Sequence, residues 1–233
     1  MPAALFFGIE SILYLMFMAI DLWMPQYSTL SGILKYCGIC LCLLKALTVA
    51  MPPDKLKAVS FRRDKALLIA ALLFTAVSDL LLLFTVRFTG GMVTFTAAQL
   101  IYMFYIRQGI GPVLPLLLKR AVPAGAAIWF LWISAPPESR PLMLPAAVYA
   151  VCILCNFLEA VHCFVRNPAV RRYRLLSAGF FLFLLCDINV ALFNILPADR
   201  ILFPIASVAM WFFYLPSQVC LTLSLYCKQV DYE

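Results

Sequence analysis

Long blocks of leucine, phenylalanine, isoleucine and alanine, separated by short polar or proline-rich breaks, set the pattern of this chain. A helix needs about 20 apolar residues to cross the hydrocarbon of a bilayer. Eight blocks approach or exceed that length and predict helices at about 2–21, 29–50, 66–86, 91–110, 113–134, 141–164, 173–196 and 202–227. The fifth is the weakest, because Lys119 and Arg120 intrude near its start. Continuous apolar blocks are not the alternating strands of about ten residues that a membrane barrel would show, and an open sheet cannot span lipid. The fold is therefore expected to be all-α: a polytopic membrane protein in which residues 1–233 form a single bundle of eight transmembrane helices.

Composition supports that class. The chain is 65% hydrophobic and 12% charged, with a mean hydropathy of +0.98; soluble domains hold about 45–50% apolar residues. The 18 lysines and arginines orient it. With the N-terminus cytoplasmic, the inner loops and tail carry Lys55, Lys57, Arg62, Arg63, Lys65, Arg107, Lys119, Arg120, Arg166, Arg171, Arg172, Arg174 and Lys228. The outer loops carry only Arg87, Arg140 and Arg200, and Lys35 and Lys45 fall inside the second helix. Basic residues favour cytoplasmic loops, so both termini are expected inside. The same topology, with anionic headgroups as partners, accounts for the net charge of +7 without nucleic acid. Glu10 in the first segment, with no basic leader or cleavage site, argues for a retained helix rather than a signal peptide. Minimal loops and the lack of a glycosylation sequon lean towards the bacterial inner membrane.

Two aspartates stand out against this background. Asp79 in ALLFTAVSDLLLLF and Asp187 in GFFLFLLCDINVALF each follow an apolar run with phenylalanine a turn upstream. A carboxylate inside a membrane costs about 2.5–3.5 kcal/mol on insertion scales, so it is usually kept for a task. Packing alone, through Ser78, Asn189 or a glutamine, would repay this poorly, since polar contacts between membrane helices average about 0.6 kcal/mol. Counted from the predicted cytoplasmic ends, both acids lie about 20 Å deep, Gln99 about 16 Å and Gln218 about 13 Å, with Asn156 and Glu10 at a comparable depth. That places a polar band near the midplane, facing a pocket inside the bundle. FTAAQ (95–99) and YLPSQ (214–218) follow the two acidic helices in matching order, which suggests a parallel repeat of four plus four helices, 1–110 and 111–233, with its site where the halves meet.

Other constellations carry less. Cys37 with Cys40 and Cys152 with Cys155 make CxxC spacings, but all nine cysteines fall in apolar segments or at their ends and the chain has one histidine, so neither a metal nor a cofactor is expected. Glu159 and His162 form a single E-x-x-H at the inner edge of the sixth helix, read as structural. No phosphate-binding glycine loop, H-E-x-x-H or G-x-S-x-G is present.

The segments LLKALTV (43–49), LLFTAVSDLLL (72–82), FTAAQLIYMF (95–104), VYAV (148–151), GFFLFLLCD (179–187) and FYLPSQVCLTLS (213–224) occur in an order that resembles the lysoplasmalogenase family, also called YhhN. Its characterised animal members hydrolyse the vinyl ether bond of lysoplasmalogens to a fatty aldehyde and a glycerophospho-base, with a lysophospholipid as substrate and no cofactor. The resemblance implies that Asp79 and Asp187 are the catalytic acid and base, and that Lys45, Gln99, Tyr102, Tyr149, Tyr214 and Gln218 bind substrate, Lys45 at the lipid phosphate. Two positions depart from the family pattern: Ala46 follows the lysine where proline is expected, and Gln99 stands where many members carry histidine. Vinyl ether hydrolysis needs one protonated and one ionised carboxyl, as in glycosidases. The rival expectation is a lipid or small-molecule transporter whose aspartates carry protons. Oligomeric state is not encoded in these patterns.

Overall fold

The computed structural model of the protein describes residues 1–85, 87–107, 112–195, 197 and 201–230, without the side chains of residues 56 and 228–230. Arg200, the side chain of Lys228 and the predicted helix ends at 110 and 196 lie outside the described residues. Eight α-helices form: α1 (Ala3–Trp23), α2 (Ser28–Thr48), α3 (Lys55–Leu83), α4 (Phe88–Ile106), α5 (Val113–Ser134), α6 (Arg140–Arg166), α7 (Arg171–Ile195) and α8 (Leu202–Val230). No strand occurs among the described residues. Seven helices are long and apolar enough to cross a membrane, α5 among them. The eighth, α4, falls short, because Gln99, three threonines and a glycine pair dilute its 19 residues. The weak span is thus the fourth helix rather than the fifth. Leucine, isoleucine, phenylalanine and tryptophan crowd the outer surface of the bundle, with Leu15, Val122, Trp129 and Ile195 all exposed, an arrangement suited to lipid as solvent.

Neighbours in sequence pack in order, α1 on α2, α2 on α3 and α3 on α4, then α5 on α6, α6 on α7 and α7 on α8. The two sets meet where α2 packs on α8 and α4 on α6. Close approach of α7 to α8 depends on Gly179, where a Cβ would stand 2.9 Å from Leu221 Cδ2 and 3.2 Å from the Ser217 carbonyl oxygen.

Three prolines lie inside helices, Pro123, Pro145 and Pro216. Each removes the N–H that would bond the carbonyl four residues earlier. In each case a side chain from another helix donates to that freed carbonyl: Cys155 Sγ to Lys119 O at 3.9 Å, Thr89 Oγ1 to Pro141 O at 3.4 Å and Tyr14 hydroxyl to Phe212 O at 3.2 Å. Without water in the hydrocarbon, such replacement lets a helix interior keep a proline.

Basic residues do more than set topology. Arg172, counted above as a loop charge, is buried in α7; it donates to Asp64 Oδ2 of α3 at 2.7 Å and to the Tyr105 carbonyl of α4 at 2.8 Å. Arg120 is also buried, bonding Asn156 Oδ1 at 2.7 Å and Glu159 Oε2 at 3.1 Å. That pairing explains how α5 tolerates its intruding charge and gives Glu159 a structural partner.

Candidate functional site

Both acids are placed by the helix that carries them and held by a tyrosine from another. The hydroxyl of Tyr214 on α8 donates to Asp79 Oδ2 at 2.6 Å. The hydroxyl of Tyr149 on α6 donates to Asp187 Oδ2 at 2.7 Å. Asp79 is 3% exposed, whereas Asp187 is half-buried. The packing partners expected for a purely structural role are engaged elsewhere: Ser78 bonds Thr94 and the Gly91 carbonyl, and Asn189 bonds the Leu185 carbonyl of its own helix.

Rings bridge the two Tyr–Asp pairs. Tyr149 packs on Phe95 with centroids 5.7 Å apart, Phe95 on Phe183 at 6.0 Å, and Phe183 on Tyr214 at 5.9 Å. Cys186 lies within electrostatic range of both acids, and Tyr36 and Cys40 of α2 lie within range of Asp79. Phe183 is the phenylalanine one turn before Asp187, so its place was visible in the sequence; the role of Phe95, Tyr36 and Cys40 was not.

Asp79 sits nearer the end of its helix than the middle, whereas Asp187 sits nearer the middle of its own. Asp79 precedes the end of α3 by four residues, about 6 Å, and Asp187 precedes the end of α7 by eight, about 12 Å. Depth had been counted from residue 66, but α3 starts at Lys55, because Asp64 finds Arg172 and the polar segment stays helical. The polar residues therefore form a slanted column rather than a band.

Lys45 is the predicted residue the structure does not bring to the acids. It is buried at the basic end of α2, donating to the Met1 carbonyl at 2.9 Å with its ammonium 4.8 Å from the Tyr226 ring. Lys65 Nζ bonds the Val49 carbonyl, which levels residue 65 of α3 with the end of α2. Asp79 is then about 21 Å above that level and Lys45 about 6 Å, a separation of about 15 Å along the bundle. Sequence matching fixed the lysine's register and not its depth.

The remaining predicted residues line the column below the acids. Gln99 is fully buried, its Oε1 accepting from Asn156 Nδ2 at 2.8 Å, while its amide nitrogen, on the side of Tyr149, makes no hydrogen bond among the described residues. Gln218, one turn past Tyr214, donates to Ser217 Oγ at 3.4 Å and leaves Oε1 without a hydrogen bond among the described residues. Tyr102, packed edge-on against Phe180 at 5.5 Å, leaves its hydroxyl likewise unbonded. Glu10 turns inward from α1, as a buried acid should, and accepts from the Cys42 thiol at 3.4 Å.

A helical bundle with apolar outer walls and two interior carboxylates, each fixed by a tyrosine, defines an integral multi-pass membrane protein with a built polar site. The family model of YhhN matches residues 35–225, and the chain belongs to the YhhN family. All eight predicted site residues fall within the match; Glu10 and the rest of α1 fall outside it. No curated protein and no solved structure matches the chain.

Proposed function

We propose that the protein is a membrane-embedded hydrolase acting on a lysophospholipid, cleaving the vinyl ether of a lysoplasmalogen to a fatty aldehyde and a glycerophospho-base. The observation that carries this is the partner choice of the acids. Asp64, Glu159 and Asp21 are ion-paired, with Arg172, Arg120 and Lys35. Asp79 and Asp187 have no ion pair among the described residues and accept instead from tyrosine hydroxyls. A carboxyl without a fixed counter-cation can change protonation state without breaking a salt bridge, which acid–base catalysis requires.

In this mechanism the carboxylic acid of Asp79 gives its proton to the alkene carbon remote from the ether oxygen, leaving an oxocarbenium ion. Asp187, the less buried of the two acids, takes a proton from a water molecule whose oxygen adds to the cation. The resulting hemiacetal collapses: Asp187 returns its proton to the departing glycerol oxygen, the hemiacetal hydroxyl proton restores Asp79, and the aldehyde leaves. Phe95 and Phe183 provide an apolar wall for the alkenyl chain.

Aldehyde release from a lysoplasmalogen by purified protein in detergent tests the proposal, with Asp79→Asn and Asp187→Asn as comparisons. Release by wild type and its loss in both variants is the expected result. Release by neither wild type nor variants sinks the hydrolase, and pH-dependent flux in proteoliposomes then tests the transporter. We further propose cytoplasmic termini in a bacterial inner membrane and a parallel duplication of four helices. Charge asymmetry supports the first, and the matched packing of α2 on α8 and α4 on α6 supports the second.

A further inference from the structure

A cavity of about 270 Å³ opens at the end of the bundle opposite the basic loops, between α2, α3 and α8. Ser28, Thr29, Lys35, Leu83, Phe84 and Trp211 line it. Lys35 is nine-tenths buried there, 2.7 Å from Asp21 Oδ2, with its ammonium 4.3 Å from the Trp211 ring centroid. Ser31 Oγ donates to the other oxygen of Asp21 at 2.5 Å. Nothing in the proposed chemistry uses these residues.

The cavity stands directly over the candidate site. Leu83 is one turn beyond Asp79, about 6 Å along α3. On α8, the Trp211 ring packs 5.5 Å from that of Tyr214, the residue bonded to Asp79. In a glycerophospholipid, five bonds separate phosphorus from the ether oxygen at the far end of the glycerol, a zigzag of about 6 Å. A headgroup in the cavity would therefore set the ether bond beside Asp79, whereas Lys45, about 15 Å below, is out of range.

The charges match as well as the distances. Lys35 and Asp21 form a neutral pair, and a zwitterion carrying a phosphate and an ammonium can replace each partner with its own opposite charge. Lys35 then bonds the phosphate, helped by the Ser28 and Thr29 hydroxyls, and Asp21 bonds the ammonium, with the Trp211 face open to either cation. A phosphate without an amine would take Lys35 and leave the half-buried Asp21 without its cation, which disfavours it.

We propose that Lys35, Asp21 and Trp211 form the recognition site for a zwitterionic phospholipid headgroup, entering from the end opposite the basic loops. This rests on the lysophospholipid reading above. Binding, not turnover, tests it. The probes are saturated alkyl ethers, which lack the vinyl group: alkyl glycerophosphoethanolamine, alkyl glycerophosphate and alkylglycerol. Affinity is read by thermal shift and by the fluorescence of Trp211 in purified protein, with Trp211→Phe as the signal control.

Wild type should prefer the phosphoethanolamine probe. Lys35→Met should weaken both phosphate-bearing probes about tenfold or more and leave alkylglycerol unchanged, while Lys35→Arg should keep most of the affinity. Asp21→Asn should erase the preference for the amine-bearing probe. The double variant Lys35→Met with Asp21→Asn leaves no lone buried charge, so it guards against misfolding; it should bind all three probes alike. Equal affinities in wild type and Lys35→Met, or an unchanged headgroup ratio in Asp21→Asn, overturn the site. Headgroup-selective binding without aldehyde release from a lysoplasmalogen would sink the hydrolase and leave the site standing; release with unselective binding would do the reverse.

Discussion

Asparagine substitution at two buried aspartates of the same helix should give opposite signatures. Asp64 is fully buried, bonded by Arg172 at 2.7 Å, and Arg172 also holds the Tyr105 carbonyl and stacks at 4.7 Å on the Tyr105 ring. Removing one partner of a buried ion pair costs about 3–5 kcal/mol, because the other charge is left behind. Arg63, half-exposed, sits 3.5 Å from the second oxygen of Asp64 and would not relieve Arg172. Asp79 has no cation to strand among the described residues. Asp79→Asn keeps a carbonyl oxygen for the Tyr214 hydroxyl and exchanges a hydrogen bond to a carboxyl for one to an amide, a change within about 1 kcal/mol. Unfolding by SDS titration of the purified protein measures the first quantity, and aldehyde release per folded molecule measures the second. Asp64→Asn should lose about 3–5 kcal/mol of stability and retain turnover, since it lies 15 residues, about 22 Å, from Asp79. Asp79→Asn should retain stability and lose turnover. If Asp79→Asn destabilises as much as Asp64→Asn, the distinction between scaffold acids and site acids is wrong.

Further outcomes follow from single contacts. Gln99→His should keep aldehyde release within about tenfold of wild type while Gln99→Leu loses more, because imidazole can both accept from Asn156 and donate towards Tyr149. Tyr14→Phe should cost about 1 kcal/mol in SDS unfolding by stripping the Phe212 carbonyl of its substitute donor, and the loss should vanish when Pro216→Ala restores the backbone N–H. Gly179→Ala should destabilise by about 1–3 kcal/mol, since the new methyl meets the Ser217 carbonyl as well as the movable Leu221 side chain; unchanged stability would mean that α7 and α8 separate freely.

Much of this architecture was legible because hydrocarbon admits so few solutions. The eight apolar blocks predicted all eight helices, most of their ends within two or three residues. The largest miss, the start of α3, arose because Lys55 to Lys65 reads as a polar loop until Arg172 arrives from α7 to neutralise Asp64. Tertiary pairing, invisible in a local window, turned the segment helical. The two acids were conspicuous for the same reason the helices were, as charges where charge is expensive. Lys45 and Lys35 show the limit: both lie on α2 and both are buried, yet only the position of α3 and α8 decides which one stands over Asp79. A motif match names a residue and says nothing of its height in the bundle.

The donor sense of the buried polar chain bears on which acid is ionised. Arg120 has only donors, so the Asn156 atom it bonds at 2.7 Å must be the carbonyl oxygen. That fixes the Asn156 amide group as the donor to Gln99, at 2.7 Å to its backbone oxygen and 2.8 Å to Oε1. The amide nitrogen of Gln99 makes no hydrogen bond among the described residues and lies at longer range of Tyr149, whose hydroxyl donates to Asp187 Oδ2 at 2.7 Å. From Arg120 through Asn156 to Gln99 every proton points the same way, and the unbonded Gln99 amide then turns the positive end of its dipole towards Tyr149 and Asp187. Such a polarised series stabilises an acceptor carrying negative charge. Among the described residues Asp79 receives a single donor, Tyr214, whose backbone carbonyl in turn accepts from Ser217 at 2.6 Å, with no cation behind it. In the proposed mechanism this asymmetry favours Asp187 as the base that activates water and Asp79 as the proton donor. It also bears on glutamine at position 99, where many family members carry histidine: an amide supplies an acceptor towards Asn156 and leaves a donor free on the side of Tyr149.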